Sequence, residues 1–496
     1  MAVSRVAVIG AGPCGLAALK YVMVSRSTYS AMQSILIDTR DYRYLLAEKT
    51  FSFIQAYEQR DTLGGVWAYN TLTREDNEFA IPRTRPSKDA DVPVQVADAS
   101  APQFVSAVYD TLETNIPHTL MCFGDTPFPA GSNLFPPHQA VKKYLEEYGE
   151  EVKQYVSFST QVLTIDRVQD GDKKHWEIET LDLKTKTQKR TQFDAVLVAS
   201  GHYNDPYIPE IPGLVEFDKA YPGAISHSKF YRNPNDYAGK KVIVVGNSAS
   251  GIDLSAQIST VSKLPVIISE RSPQVTGGDE QSGWSKQVPE IAELTPEGRK
   301  VRFANGHVEE DVDVVVFCTG YHYSFPFLRG LSPPIVTDGS YARNLYQHLV
   351  YINEPTLAIV GIPQRIIPFP FSETQVGWMA RIWSGRAKLP TEEEMREWEA
   401  AKRKEKEGQE KSFHVMPFPQ DVDYINLLHG FSEKAETRPG LDNGGRGKIP
   451  PYWDAYKRWL RQQTPLIKAA SRKLGEKRRE IRTLEQLGFH YTEERN

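Results

Sequence analysis

Two stretches of the chain share one pattern of apolar and polar positions. "RVAVIGAGPCGLAAL" (5–19) and "KKVIVVGNSASGIDLSAQI" (240–258) each carry a short unbroken apolar run into a glycine-punctuated loop and then into residues at helical spacing. This is the order strand, tight loop, helix. Two further apolar runs, in "VLVASGHYNDPYIP" (196–209) and "DVVVFCTGYHYSFPF" (313–327), stop at small residues before aromatic and proline-rich crossings. They read as strands leaving a sheet and returning to it. "IPFPFSETQVGWMARIW" (367–383) reads as a helix opened by Ser372, with Gln375 three residues on as a capping box. "TEEEMREWEAAKRKEKEGQEK" (391–411) puts acids in the first turn and bases later, as a solvated helix with a favourable dipole would.

One segment breaks this logic. From residue 21 to 43 the helix after the first loop is interrupted by the polar "SRSTYS" and the strand-like "SILID". Glu58 stands 43 positions after Gly15; without residues 21–43 the interval shortens by 23 to 20, equal to that from Gly251 to Arg271. The repaired helix also brings Leu16, Leu19, Leu45 and Leu46 to helical intervals. Degenerate codons around Lys20–Val22 and Tyr42–Arg43 admit intron borders, so the segment reads as a translated intron, with a surface insertion as the alternative.

The loops carry the chemistry. Gly10, Gly12 and Gly15 permit in turn a tight turn, close backbone approach to phosphates and helix-to-strand packing, while the helix N-terminus offers free N–H groups to negative charge. The acidic partner for a ribose is Glu58, with Asp38 as rival; Gln59 joins the set, and the downstream "LGGVW" adds Gly64, Gly65, Val66 and Trp67. In the second loop Gly246, Ser248 and Gly251 occupy the three places, the serine being a departure. Ser269 and Arg271 lie at the next strand end, where a guanidinium suits the 2′-phosphate of NADPH. Glu270 beside it keeps NADH open.

Composition narrows the partners. The 496 residues include 59 basic and 63 acidic ones, a net charge of -4, which offers nothing to nucleic acid. No apolar run approaches the roughly 18 residues of a membrane helix, and the start lacks signal-peptide character, so a soluble cytoplasmic protein is expected. Cys14, Cys122 and Cys318 form neither a CxxC pair nor a metal cluster. The basic "SRKLGEKRREIR" (471–482) reads as a solvated face.

Between the loops, "YPGAISHSKFY" places Gly223, His227 and Tyr231 in the FxGxxxHxxx(F/Y) signature of flavin-containing monooxygenases, with Tyr221 for the usual Phe. "LGGVW", "NLFPPHQAVKKYL", "ASGHYNDPYIP" and "FCTGYHYSFPFL" add to the resemblance, which runs through most of residues 3–390 and is nearest the fungal branch. It implies an α/β fold of two Rossmann-like dinucleotide-binding domains, the NADPH domain (206–329) inserted into a split FAD domain (1–205 and 330–496, the latter with a C-terminal helical extension). It implies FAD and NADPH as cofactors, and formation with O2 of a C4a-hydroperoxyflavin that oxygenates a soft sulfur or nitrogen atom of a small molecule. Gln375 joins the flavin-binding residues on this ground, its helix aiming at the flavin's pyrimidine end. Asn115 in "LETNIPHTLM" matches the family asparagine beside flavin and nucleotide, a turn-forming role being the alternative. His227 is taken as catalytic on the signature, with bracing of the domain junction as the other reading. The polar C-terminus lacks the apolar anchor of animal relatives. A second copy of the chain is a candidate partner. A Baeyer–Villiger enzyme would end its signature in Trp-Pro where this chain has Phe230-Tyr231; a non-turning FAD/NADP sensor is the rival outside enzymes.

Overall fold

The computed structural model describes residues 3–22, 48–76, 79–97, 99–271 and 283–492. Residues 23–43 of the suspected insertion, and Asp38 with them, lie outside the described residues.

Unbroken apolar runs are buried on both faces, as parallel strands must be. The larger sheet has seven strands in the spatial order Leu345–Tyr346, Val350–Tyr351, Leu357–Ile359, Ala195–Val198, Arg5–Ile9, Phe53–Tyr57, Val156–Ser157. The pairings from Leu357–Ile359 to Val156–Ser157 are all parallel, and the other two are antiparallel. Alternation along each strand divides the core. Val6 and Val8 pack with the helices Pro13–Val22 and Pro368–Trp383, whereas Ala7 and Ile9 join Trp176 and Phe193 of a three-stranded antiparallel sheet on the other face.

The smaller sheet has five parallel strands, in the order Ser285–Val288, Val266–Ser269, Val242–Val245, Val314–Phe317, Ile225–His227. The same alternation sends Val242 and Val244 toward Leu254 and Ile258 of the helix Ala249–Ile258, and Ile243 and Val315 to the opposite side. All its strands fall between those that the larger sheet takes from the two flanks of the chain. The outgoing and returning crossings meet as a short antiparallel pair, Tyr321 beside Pro206 and His322 beside Asp205. The chain therefore leaves and re-enters the larger sheet at one seam.

The helix at 367–383 begins earlier than its capping pattern suggests. It spans Pro368–Trp383, and Ser372 lies inside it with its hydroxyl donating to the Phe369 carbonyl at 2.9 Å. Proline is at home in a first turn, where its missing N–H has no partner to lose, so Pro368 and Pro370 start the helix ahead of the serine. A capping box forms at Thr391: its hydroxyl accepts from the Glu394 N–H and the Glu394 carboxylate accepts from the Thr391 N–H, opening Glu392–Glu405. The long helix Ala455–Lys473 is capped by Asp454, which accepts from the Lys457 N–H at 2.9 Å. Among the described residues no helix is long and apolar enough to cross a membrane.

Candidate functional site

The strands Arg5–Ile9 and Phe53–Tyr57 are in register from Arg5–Phe53 to Ile9–Tyr57, so Gly10 and Glu58 emerge side by side at their carboxyl ends. Gly10 turns with φ +103°, and a Cβ there would sit 2.7 Å from the Ala199 carbonyl oxygen. A Cβ on Gly15 would lie 1.9 Å from the Gly10 carbonyl oxygen, so only glycine lets the helix pack this close. Glu58 accepts from the backbone N–H of Ala11 at 2.8 Å and of Arg60 at 2.9 Å. Burial raises its pKa, against the lowering effect of those bonds and of Arg60.

This corner opens into a cavity of about 510 Å³. Gly10, Gly12, Glu58, Gln59, Gly65, Val66, Trp67 and Asn115 line it. Gly64 and Gly65 both have positive φ, +102° and +56°, and the Gly64 N–H donates to the Ala11 carbonyl at 2.9 Å, which brings "LGGVW" against the first loop. A Cβ on Gly65 would come within 2.9 Å of the Gly12 Cα, and one on Gly12 within 3.4 Å of the Gly65 Cα. Side chains at these positions would fill the cradle between the loops. A glycine-lined cradle at a helix N-terminus, with a carboxylate at the neighbouring strand end, fits the pyrophosphate and ribose of a dinucleotide. The N-terminal residues Pro368 and Phe369 of the helix Pro368–Trp383 line the same cavity.

The second loop repeats the construction elsewhere. Gly246 has φ +100° and faces the Cys318 carbonyl as Gly10 faces Ala199, and a Cβ on Gly251 would meet the Gly246 carbonyl oxygen at 1.9 Å. Ser248 is exposed at the N-cap of the helix Ala249–Ile258, without a side-chain cap bond. The Ser269 hydroxyl is spent on the Pro289 carbonyl at 3.0 Å, which leaves its place in the set to the backbone carbonyl that accepts from the Gly246 N–H. Arg271 projects outward, its Nε donating to Glu290 at 2.9 Å in an exposed ion pair. Glu270 accepts from the Asn247 amide at 3.1 Å. The residues at this strand end fit a phosphorylated ribose in that the free helix N-terminus and the guanidinium share one edge. None of Gly246, Ser248, Gly251, Ser269 and Arg271 lines the cavity of the first loop.

Two expected residues sit differently. His227 does not line the cavity. It is fully buried, its Nδ1 accepts from the Lys229 N–H at 3.1 Å, and Nε2 pairs with the Gly320 carbonyl at 3.0 Å. With Nδ1 accepting and Nε2–H donating to backbone, and with burial lowering its pKa to about 3, the ring stays neutral at neutral pH and presents no free nitrogen for proton transfer. The catalytic reading is corrected to a brace between the strand Ile225–His227 and the returning crossing. Gln375 also stands behind the cavity wall: its amide oxygen accepts from the Gly361 N–H at 2.9 Å and its nitrogen donates to Tyr424 at 3.0 Å. It holds Gly361, which does line the cavity. Asn115 lies at the surface of the cavity, its amide oxygen accepting from Arg472 at 3.3 Å.

Sequence reasoning passed over Tyr203 and Lys229. Tyr203 lines the cavity and remains 47% exposed; it follows the strand Ala195–Val198, whose carboxyl end opens on the same edge as Gly10. That edge position was the available signal. Lys229, inside the "HSKFY" signature, is buried with its Nζ donating to the carbonyl of Asn204 at 2.6 Å and to its amide oxygen at 2.9 Å. Burial lowers its pKa to about 8. It ties the inserted sheet to the outgoing crossing. The basic stretch 471–482 is not simply a solvated face either, because Arg472 and Arg478 reach Asn115 and Glu113.

Comparison with known proteins places this geometry. The profile of the family described as FMO-like, Flavin-binding monooxygenase-like, matches residues 98–284 and 281–443. The chain is 30% identical over 472 residues to Flavin-containing monooxygenase FMO GS-OX5 of Arabidopsis thaliana, covering 91% of each. It is 27% identical over 515 residues to Flavin-containing monooxygenase iboF of Amanita muscaria, covering 88% of this chain and 89% of that one. Among solved structures, S-allyl-L-cysteine S-oxygenase from Allium sativum superposes with a TM-score of 0.73 at 27% identity, over 98% of each chain.

Proposed function

The chain belongs to the flavin-binding monooxygenase-like family and is an oxygenating enzyme, and from that premise we propose that it binds FAD at the first glycine loop and NADPH at the second, and oxygenates a soft sulfur atom of a small molecule. The observation that carries this reading is the cavity in which the Gly12–Gly65 cradle, the Glu58 carboxylate and the Asn115 amide come together. Residues 1–205 and 330–496 are then the FAD domain and 206–329 the NADPH domain, with a cytoplasmic location as the setting.

Bound FAD would supply the activation of O2, with two electrons drawn from NADPH. One oxygen atom goes to the lone pair of the substrate, and the other leaves as water with the two electrons and the required protons. The protein's own part is placement and exclusion. Gly12 and Gly65 would let the backbone approach the phosphates of that cofactor, and Glu58 would accept from its ribose hydroxyls. Ile9, Ile116, Phe327, Ile366 and Phe369 give the wall an apolar stretch that limits water near the reacting atoms. Asn115 can donate and accept at that wall without changing protonation state. A soft nucleophile attacks with its own lone pair and needs no general base.

Sulfur is preferred over nitrogen because the similar Allium structure is that of an S-oxygenase. The test supplies the purified protein with NADPH, O2 and, separately, an S-alkyl cysteine, a tertiary amine and a cyclic ketone. The expected result is a sulfoxide formed in step with NADPH consumption. Lactone from the ketone, or NADPH consumed with no oxygenated product from the sulfide or amine, overturns the reading.

A further inference from the structure

The side chain that lines the cavity at Asn115 is held from a part of the chain more than three hundred residues away. Arg472, in the last turn of the helix Ala455–Lys473, donates from Nη2 to the Asn115 amide oxygen at 3.3 Å. The same nitrogen lies 3.7 Å from Asp253. Asp253 belongs to the helix Ala249–Ile258, which starts at the second glycine loop, and it also accepts from the Tyr109 hydroxyl and from the Gln257 amide at 3.2 Å. One turn earlier on the C-terminal helix, buried Lys468 donates to the Thr114 carbonyl at 2.8 Å and to Glu113 at 2.7 Å, and Arg478 reaches the same carboxylate at 3.1 Å. The segment 113–115 is thus gripped at three successive residues by three cations of the C-terminal region.

We propose that Arg472 is a positioning residue that sets the orientation of the Asn115 amide and ties it to the second dinucleotide helix through Asp253. An arginine can only donate, so the amide end that faces it must be the oxygen. The NH2 group is then the end left to donate to whatever occupies the cavity, and an amide that flips would offer the wrong group half the time. Lys468 and Arg478 hold the two preceding residues, through the Glu113 carboxylate and the Thr114 carbonyl, whereas the hydrogen bond to the Asn115 side chain comes from Arg472, which therefore sets its rotation. Because the guanidinium also faces Asp253, the amide is referenced to the helix that receives the second nucleotide, and not only to its own loop.

The inference rests on the proposed function, and the experiment separates the two. Holoenzyme is prepared as wild type, Asn115→Leu, Arg472→Met and the double variant. For each, H2O2 released per NADPH oxidised is counted in the presence of a sulfide, NADP+ affinity is measured by titrating the flavin absorbance spectrum, and the melting temperature is recorded. A wild type that neither binds flavin nor couples NADPH to sulfoxide sinks the proposed function itself. With a coupled wild type, Arg472→Met is expected to raise the H2O2 fraction and weaken NADP+ binding by roughly threefold to tenfold, the scale of one hydrogen bond. In the double variant neither quantity should move beyond Asn115→Leu alone, since residues that act through one another are not additive. Wild-type coupling and NADP+ affinity in Arg472→Met, or full additivity in the double variant, overturns the proposal. Should Arg472→Met melt too low to assay, Arg472→Lys takes its place under the same two outcomes: it keeps a cation near Asp253 without the reach and fork of a guanidinium.

Discussion

At the scale of single residues the two loops make separable demands. A Cβ on Gly12 faces the Gly64–Gly65 backbone, so a valine there intrudes on the cradle and not on the sheet. Gly12→Val is expected to fold and to lose most of its flavin, read by HPLC of the cofactor released from purified protein; full loading with FAD would remove the cradle from the binding site. Arg271 is exposed and paired with Glu290, a contact worth little at a surface. It can therefore turn toward a 2′-phosphate at small cost. Arg271→Ala should reduce the NADPH over NADH preference in kcat/KM by about tenfold, the worth of one charge-assisted bond. An unchanged ratio would move the selection to Ser248 or to the loop's backbone. The glycines that build these sites were legible because each has a steric reason that no other residue meets. His227 was not, since a signature histidine reads alike whether its ring faces a cavity or, as here, two backbone groups.

Elements differ in how openly the chain declares them. Continuous apolar runs announced the strands Arg5–Ile9, Val242–Val245 and Val314–Phe317, because strands covered on both faces leave no polar positions to blur them. The start of Pro368–Trp383 was misplaced because two prolines look like a breaker and in a first turn act as an opener. The Thr391–Glu394 capping box was not read in advance, and it offers a clean measurement away from both loops. Thr391→Ala should cost about 1 kcal/mol, a fall in Tm of roughly 1–3 °C, with flavin content unchanged; loss of flavin would mean that the helix Glu392–Glu405 supports the cavity. The grip of Ala455–Lys473 on residues 113–115 could not be read in advance. It depends on side chains 355 and 357 positions apart, with no periodicity or motif to connect them.

The whole molecule joins its two mainly parallel sheets at one seam, where the Arg83–Asp205 ion pair and the Lys229 ammonium stand near a buried histidine. His227 sits there with a pKa lowered from 6.5 to about 3 by burial. The unfolded chain takes up this proton below pH 6.5 and the folded one refuses it until about pH 3, so stability is intact above the upper value and falls as pH drops between the two, by up to about 1.4 kcal/mol per pH unit for this group. Glu373, raised to about 7 by burial, works in the opposite sense between its ordinary 4.5 and 7, so the total curve is a sum and the histidine must be isolated. His227→Asn should melt lower than wild type at pH 8, with the difference narrowing on acidification toward pH 5; a constant difference would place the histidine's proton elsewhere. The repeated close approach of the third glycine to the first, where an added Cβ would meet a carbonyl oxygen at 1.9 Å at both Gly15 and Gly251, carries its own consequence. A saturation scan of the gene, scored by abundance in cells, has in effect two copies of one experiment within a single polypeptide. Positions 15 and 251 should return superimposable intolerance profiles, whereas positions 12 and 248, glycine in one copy and serine in the other, should diverge. Tolerance at one copy alone would identify which half of the molecule the cell's quality control actually inspects.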